Sequence, residues 1–185
     1  CNKGHEWQAL VSSRTVMGTG CKKCTGIGIS YMEIRIYTEL LSIFRDILWS
    51  YKIKGYQSDL FIPQLKLAIE IDGFYWHKNP KKVNFDNKKS NFFRKNNIKL
   101  IRIRENGLPL LDPGMDINAY FINTKKIEIH KLLDQILKIK GIRMFNKKFK
   151  DYKKQNSFVN NKLYRKICSH LPSPVFENSL AYKRK

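Results

Sequence analysis

Two short β-prone runs in the middle of the chain constrain the fold more than any other feature. Asp59–Ile62 and Lys66–Asp72 are separated by a break at Pro63, and this pattern predicts a β-hairpin. In the second run Glu70 and Asp72 alternate with isoleucines. Because alternate residues of a strand share a face, both carboxylates are expected on one face and the isoleucines in the core.

The carboxylates of this hairpin stand out against the overall charge of the chain. The chain has 36 Lys and Arg residues but only 15 Asp and Glu residues, yet Asp59, Glu70 and Asp72 all fall on the hairpin. A charged side chain inside an apolar run is energetically costly unless it takes part in an ion pair or a binding site. Oxygen ligands from adjacent strands suit Mg²⁺, so the hairpin predicts a magnesium site. The alternative is a solvated polar face.

The remaining periodic segments predict three helices and one further strand. These are a helix capped by Ser30 and running to about Trp49, a helix over Phe85–Asn96, a strand over Lys99–Arg104 and a helix over residues 125–140. A loop is expected over residues 78–83. This order favours an α/β fold, in the sense of an α+β core with a mixed sheet.

The chain divides into three predicted parts. Residues 1–25 form a zinc-binding segment and residues 26–140 the core. Residues 141–185 are a basic C-terminal extension, which could be an arm, a linker or a small helical subdomain.

Two pairs of potential metal ligands lie near the start of the chain. Cys1 and His5 are followed, fifteen residues later, by Cys21 and Cys24, and two such pairs suit the tetrahedral shell of Zn²⁺. The alternatives are buried free cysteines with a chance histidine, or a redox pair. A segment of this size buries too little apolar surface to fold alone, so metal binding is expected to supply its folding energy.

The same segment resembles a zinc-ribbon or treble-clef repeat of the kind often fused to nuclease domains. The resemblance rests on Gly4-His5-Glu6-Trp7, Arg14 and the Gly18-x-Gly20-Cys21-x-x-Cys24 run. Glu177–Ala181 resembles the start of another repeat, which suggests a piece of a longer protein with further zinc repeats. The cations of the segment are expected to contact nucleic acid: Lys3, Arg14, Lys22 and Lys23.

The net charge of the chain favours a polyanionic partner. It is +21, and basic side chains bind nucleic acids by neutralising phosphates. The strand residues Arg102 and Arg104 are candidates to hold phosphates, or are exposed ladder residues. A basic surface could also serve solubility or a contact in a ribosome-like assembly. No apolar run reaches the roughly 18 residues that span a bilayer, so we expect no membrane association and a cytoplasmic or nucleoid location.

The hairpin and the residues after it resemble a family of nucleases. Ser58-Asp59-Leu60-Phe61-Ile62-Pro63 together with Ile69-Glu70-Ile71-Asp72-Gly73-Phe74-Tyr75-Trp76-His77 resembles the core of endonucleases of the very-short-patch-repair type. It is also similar to homing endonucleases with a Glu-Asp-x-His-Asp active site, within the PD-(D/E)xK class. The resemblance extends from about Ser30 to Glu105 and implies a restriction-endonuclease-like core.

The resemblance assigns roles to residues of this chain. Its four active-site positions correspond to Glu33, Asp59, His77 and Asp86. The general PD-(D/E)xK pattern adds Glu70 but has a lysine where Asp72 stands.

Lys89, on the predicted second helix, could replace that lysine, or it could be a solvated side chain. Glu33 could instead serve only the capping box, and His77 could only cap a turn or bind phosphate passively.

These features together predict a Mg²⁺-dependent DNA endonuclease of homing, repair or mobile-element type, with a structural Zn²⁺ in front of the nuclease core. Double-stranded DNA is the expected partner. The alternatives are an RNA nuclease on the same core, or a non-catalytic zinc-containing module that binds nucleic acid. The residues alone do not distinguish DNA from RNA.

Overall fold

A computed structural model of the chain describes residues 4, 6, 30–119, 126–138, 146–155 and 157–169. The helices are α1 (Tyr31–Leu40), α2 (Phe74–His77), α3 (Pro80–Lys95), α4 (Lys126–Lys138), α5 (Asn146–Lys153) and α6 (Asn161–Ser169). The strands are β1 (Leu48–Ile53), β2 (Tyr56–Ile62), β3 (Leu67–Asp72), β4 (Lys99–Glu105) and β5 (Ile117–Ala119). No helix among these residues is both long and apolar enough to cross a membrane.

The five strands form one mixed sheet in the order β1-β2-β3-β4-β5. The first three strands are antiparallel neighbours, whereas β3, β4 and β5 run parallel. The parallel pair β3 and β4 is joined through α2 and α3, as a crossover between parallel strands requires. The mixed α/β architecture predicted from the sequence is therefore present.

One face of the sheet carries the hydrophobic core. Isoleucines and leucines of β2, β3, β4 and β5 pack there with α1, α4 and α5. The members from the strands are Leu60, Ile62, Leu67, Ile69, Ile71, Ile101, Ile103 and Ile117, and those from the helices include Met32, Ile36, Leu40, Leu132, Leu133, Phe149 and Tyr152. The opposite face carries charged residues and lies under α3, which contacts β4.

The predicted hairpin, the β4 strand and the 125–140 helix are all present, with small shifts at their ends. The first helix is shorter than expected: it ends at Leu40 rather than near Trp49, and β1 follows. Apolar residues continue through Ile47 with helical spacing, but residues 41–47 form turns and Tyr51 of β1 packs against β2. The Tyr51 and Phe61 rings stack with centroids 5.3 Å apart.

The predicted loop over residues 78–83 is also partly wrong, because α3 begins at Pro80. The side chain of Asn79 accepts a hydrogen bond from Lys81 N at 2.9 Å, and Pro80 occupies the first helical turn. An Asn cap followed by Pro is a favourable helix start, since proline needs no hydrogen-bond acceptor there. That signal was present in the sequence.

The described part of the predicted C-terminal extension packs against the core. Phe149 and Tyr152 of α5 belong to the hydrophobic cluster, and α6 contacts α1. Glu39 of α1, which is fully buried, accepts hydrogen bonds from Tyr152 Oη at 2.8 Å and from the Val159 and Asn160 backbone N–H groups. These contacts place residues 146–169, where described, beside the core rather than in a separate linker.

The placement of α4 in the core predicts the effect of truncating its buried leucine. Leu133→Ala should lower the free energy of unfolding by about 2–5 kcal/mol, because it leaves a cavity against the sheet. Urea unfolding followed by circular dichroism measures this loss. Leu163→Ala, at a side chain that is 36% exposed, is the control and should cost less than about 1 kcal/mol. Equal, small losses in both variants would contradict the packing of α4 in the core.

Candidate active site

The charged face of the sheet is built by the register of three strands. The β3–β4 register pairs Glu70 with Arg102 and Asp72 with Arg104, so these four side chains share a face. Leu60 pairs with Ile69 across β2 and β3, and one step further along this register Asp59 lies opposite Glu70. The alternation that buries isoleucines on one face thus gathers acids and arginines on the other.

Asp59, Glu70 and Lys89 form the first group of charges on this face. Lys89 Nζ of α3 forms a buried ion pair with Glu70 Oε2. Asp59 Oδ2 accepts a hydrogen bond from Ile71 N at 2.8 Å. The other carboxylate oxygen of Glu70, Oε1, is buried and has no hydrogen-bond partner among the described residues.

Glu33 of α1 joins this first group. It is 6% exposed, and its Oε1 accepts a hydrogen bond from Trp49 Nε1. Its backbone N–H also donates to Ser30 Oγ at 2.9 Å, so the predicted helix cap is confirmed. The proximity of the Asp59 charge raises the pKa of Glu33, in addition to the larger effect of burial.

The three carboxyl groups of this first group all have raised pKa values. Burial, followed by the Asp59 charge, raises the pKa of Glu33 and of Glu70 to about 8 each. Burial also raises the pKa of Asp59, against the lowering effects of the Ile71 N–H and of Lys89. When all three carboxylates are ionised, one ammonium group leaves the group with a net charge of −2, which a divalent cation would offset.

Asp72, Arg102 and Arg104 form the second group. Arg102 Nη1 donates to both Asp72 oxygens at 2.9 and 2.8 Å, and Arg104 Nη1 donates to Oδ2 at 2.7 Å. Arg102 also donates to the Asp86 carbonyl oxygen at 3.1 Å and to Ser90 Oγ at 3.1 Å. Both arginines are fully buried. These hydrogen bonds, several of them charge-assisted, join β3, β4 and α3.

His77 and Asp86 complete the second group. His77 Nδ1 lies 2.7 Å from Asp86 Oδ2 and 3.3 Å from Asp72 Oδ1. Burial opposes ionisation of Asp86, but the hydrogen bond with His77 and the Arg102 charge outweigh it and lower the pKa of Asp86. The histidine follows β3 on α2, while the aspartate comes from α3, so the crossover between the parallel strands assembles the pair.

Two sets of residues are compared as places for a metal ion, and among the described residues only the Asp72–His77–Asp86 set brings three ligand atoms close together. Potential ligand atoms of Asp72, His77 and Asp86 lie within 4.8 Å of one another. Two buried arginines already balance the charge of these two aspartates, so a cation there would offset no net charge. When its carboxylates are ionised, the Glu33–Asp59–Glu70 group has three negative charges against one ammonium group. It also has a carboxylate oxygen without a partner among the described residues, and its oxygen ligands are of the kind that Mg²⁺ prefers.

The structure brings the predicted core residues together on one face, but it changes the interpretation of several of them. Arg102 and Arg104 are buried against Asp72, so they are neither exposed ladder residues nor open to a phosphate in this conformation. The oxygens of Asp72 are taken up by these arginines, so its contacts make it an anchor for them rather than a reacting group. Lys89, in contrast, reaches Glu70 from the helix, and it is not a solvated side chain.

Two polar side chains of the site were not among the predicted residues. Trp49, which donates a hydrogen bond to Glu33, was placed at the end of the predicted first helix. Ser90 accepts from Arg102 and donates to the Asp86 carbonyl oxygen at 2.9 Å. Ser90 lies four residues after Asp86 and one after Lys89, so the helical spacing of α3 could have indicated it.

The predicted zinc ligands, Cys1, His5, Cys21 and Cys24, lie outside the described residues, as do the cations Lys3, Arg14, Lys22 and Lys23. Residues 1–27 match the model of a family described as a probable treble clef zinc finger domain. This match supports zinc binding, and a nucleic-acid-binding module, in the N-terminal segment alone. No curated protein and no solved structure matches the chain.

The family match predicts one Zn²⁺ per chain. Elemental analysis of protein purified without chelator should find one zinc per chain, and Cys21→Ser should lower this content sharply because one of four ligands is removed. Cys168→Ser is the control, since Cys168 is a free cysteine on α6. Zinc content unchanged by Cys21→Ser would contradict the predicted ligand set.

The second charge group predicts a large loss of stability when its central acid is removed. Asp72→Ala leaves two buried guanidinium groups without their carboxylate, which should cost about 3–5 kcal/mol of unfolding free energy. Asp112→Ala is the matched control, because it removes an ion pair with Arg94 in which the side chains are 38% and 64% exposed. That loss should be below about 1 kcal/mol. Similar losses in the two variants would show that the buried network does not hold the sheet to α3.

Proposed function

We propose that the chain is a metal-dependent endonuclease that hydrolyses phosphodiester bonds in DNA. The observation that carries the proposal is the cluster of Glu33, Asp59 and Glu70, in which Lys89 supplies one ammonium group against three carboxylates. The pKa values of these three carboxyl groups are raised, mainly by burial, and a divalent cation bound there would favour their ionised forms. The net charge of +21 for the whole chain favours a nucleic acid as the substrate.

Asp59 and Glu70 are the residues that would hold Mg²⁺, with Glu33 close enough to add to the negative field. Bound there, the ion would supply Lewis-acid stabilisation of the scissile phosphate and a more acidic water. Ile71 N–H fixes the orientation of the Asp59 carboxylate, and Lys89 fixes that of Glu70. The strands and α3 thereby present preformed oxygen ligands on a rigid part of the fold.

His77 is the residue best suited to move a proton. Its Nδ1 is held by Asp86 and Asp72, which sets the ring orientation and leaves Nε2 as the nitrogen that can exchange a proton with substrate or water. The lowered pKa of Asp86 keeps this carboxylate ionised beside the ring. Asp72 in turn is held by two arginines, so the His77–Asp86 pair contacts a side chain whose position is fixed.

A non-catalytic zinc-containing module that binds nucleic acid is the second candidate. The treble clef match over residues 1–27 favours it, because that match concerns binding and not hydrolysis. The two candidates share a basic, zinc-containing chain and differ in whether Asp59 is needed for chemistry. A cleavage assay therefore separates them.

Removal of the Asp59 carboxylate should abolish cleavage. Asp59→Asn in the full chain should cut supercoiled plasmid in Mg²⁺ more than about 100-fold more slowly than the parent, since about 100-fold is the upper range for losing a residue that only supports a metal ligand. Its affinity for DNA should stay close to that of the parent. Structured RNA, incubated in parallel, tests the RNA alternative.

The control variant is Asp46→Asn, at an exposed side chain that bonds Gln64. It should cut at the parental rate. A readout independent of cleavage is the Mg²⁺-dependent rise in the melting temperature of the zinc-loaded protein, which the parent should show and Asp59→Asn should lose. Parental cutting by Asp59→Asn, or no cutting of DNA by the parent, would contradict the proposal.

A further inference from the structure

The C-terminal helix α6 carries a stripe of cations on its outer side. Lys162, Arg165 and Lys166 are all exposed and follow the i, i+3, i+4 spacing that places residues on one helix face. The helix sequence contains no acid, and no ion pair joins Lys162 or Arg165 to a carboxylate among the described residues. We call these three residues the α6 stripe.

A neighbouring side of α6 is attached to α1 by a buried arginine. The Arg35 guanidinium lies 4.0 Å from the Phe158 ring centroid and 3.4 Å from the Tyr164 ring centroid, between two aromatic side chains. Its Nη2 also donates to Asn161 Oδ1 at 3.1 Å. Arg35 is only 6% exposed, so this attachment places a charged group largely out of water.

A second buried charge holds the segment before α6. The fully buried Glu39 carboxylate accepts from the Val159 and Asn160 N–H groups at 3.1 and 3.3 Å, and lies 3.5 Å from Arg35 Nη1. Asn160 Nδ2 donates to the Thr38 carbonyl oxygen. The backbone entering α6 is therefore fixed to α1 by several directed bonds.

This attachment contributes little to the hydrophobic core. None of the residues of α6 is fully buried, whereas Arg35 and Glu39 both lose their hydration. Burying charges is costly, and apolar contacts would hold a helix at lower cost. Helix α6 is cationic and weakly packed, yet it is attached by buried polar groups. This costly attachment is explained if its role is to keep the cations of α6 in a fixed position.

Helix α1 links this position to the candidate site. Glu33 and Arg35 are two residues apart, so they leave α1 in nearly opposite directions. The attachment of α6 to the Arg35 side of α1 therefore gives the stripe a fixed position relative to Glu33.

We infer that the α6 stripe is a phosphate-binding surface for double-stranded DNA, at a fixed position relative to the candidate active site. This inference rests on the proposed function and extends it, because it assigns substrate binding to the C-terminal helix in addition to the zinc segment. Contacts with phosphates position a protein on the duplex and do not read its sequence. The stripe therefore serves binding and placement at any target sequence.

The test is the salt dependence of DNA binding by the full, zinc-loaded chain in buffer without Mg²⁺. The variant Lys162→Gln/Arg165→Gln/Lys166→Gln is compared with Arg45→Gln/Lys52→Gln/Lys131→Gln, which removes three exposed cations from separate parts of the fold. Both lose the same net charge. Fluorescence anisotropy with a labelled duplex gives log K against log salt, and urea unfolding confirms that both variants are folded.

The stripe variant should bind more weakly and reduce the magnitude of the salt slope by about 2.7, at about 0.9 for each phosphate that is no longer neutralised. The scattered variant should change the slope by less than about 1, the value for a single phosphate. Equal changes in the two variants would overturn the inference, because they would reflect net charge alone. Tighter binding of the parent to phosphatidylserine vesicles than to the duplex would also overturn it.

The cleavage assay separates this inference from the proposed function. A parent that binds the duplex through the stripe but does not cut in Mg²⁺ would remove the proposed function alone. A parent that cuts, with equal salt slopes in the two triple variants, would remove the stripe alone. A parent that neither binds nor cuts DNA would remove both.

Discussion

The structure depends on the pairing of Asp72 with Arg102 and Arg104 between two parallel strands and a helix. These charges are buried, so each would be costly alone, and together they are stable only in one register of β3 and β4. A shift by one residue would place isoleucines against α3 and arginines in the hydrophobic core. The network therefore fixes both the sheet and the helix that covers its charged face.

The charges of this network balance each other, which distinguishes it from the neighbouring group of Glu33, Asp59 and Glu70. Two aspartates and two arginines neutralise each other around His77, and the pKa of Asp86 is lowered there. Beside this network, Lys89 pairs with Glu70 next to Asp59 and Glu33. Burial raises the pKa of all three carboxyl groups, and the Asp59 charge adds to this effect at both glutamates. One face of the sheet thus contains two groups. The group around Asp72 balances its own charges, whereas the group of Glu33, Asp59 and Glu70 would be stabilised by added positive charge.

Helix α1 connects this face of the sheet to the C-terminal helices. Glu33 lies in the acidic group, whereas Arg35 and Glu39 hold the segment around α6. The chain therefore returns, more than a hundred residues later, to the helix with which the described core begins. Cations of the C-terminal region are in this way given a defined position relative to the acidic group, although this region is distant in sequence.

The sequence by itself determined the hairpin, the face shared by Glu70 and Asp72, and the contribution of Asp59 from the neighbouring strand, because strand periodicity is local. It did not determine the end of α1 at Leu40, since apolar residues keep a helical spacing through Ile47 whereas the structure has turns over residues 41–47 and pairing with β2 from Leu48. The partners of Arg102 and Arg104 were likewise decided by tertiary structure. An arginine on a strand can face water or a buried acid, and only the parallel register with β3 and the cover of α3 settle which.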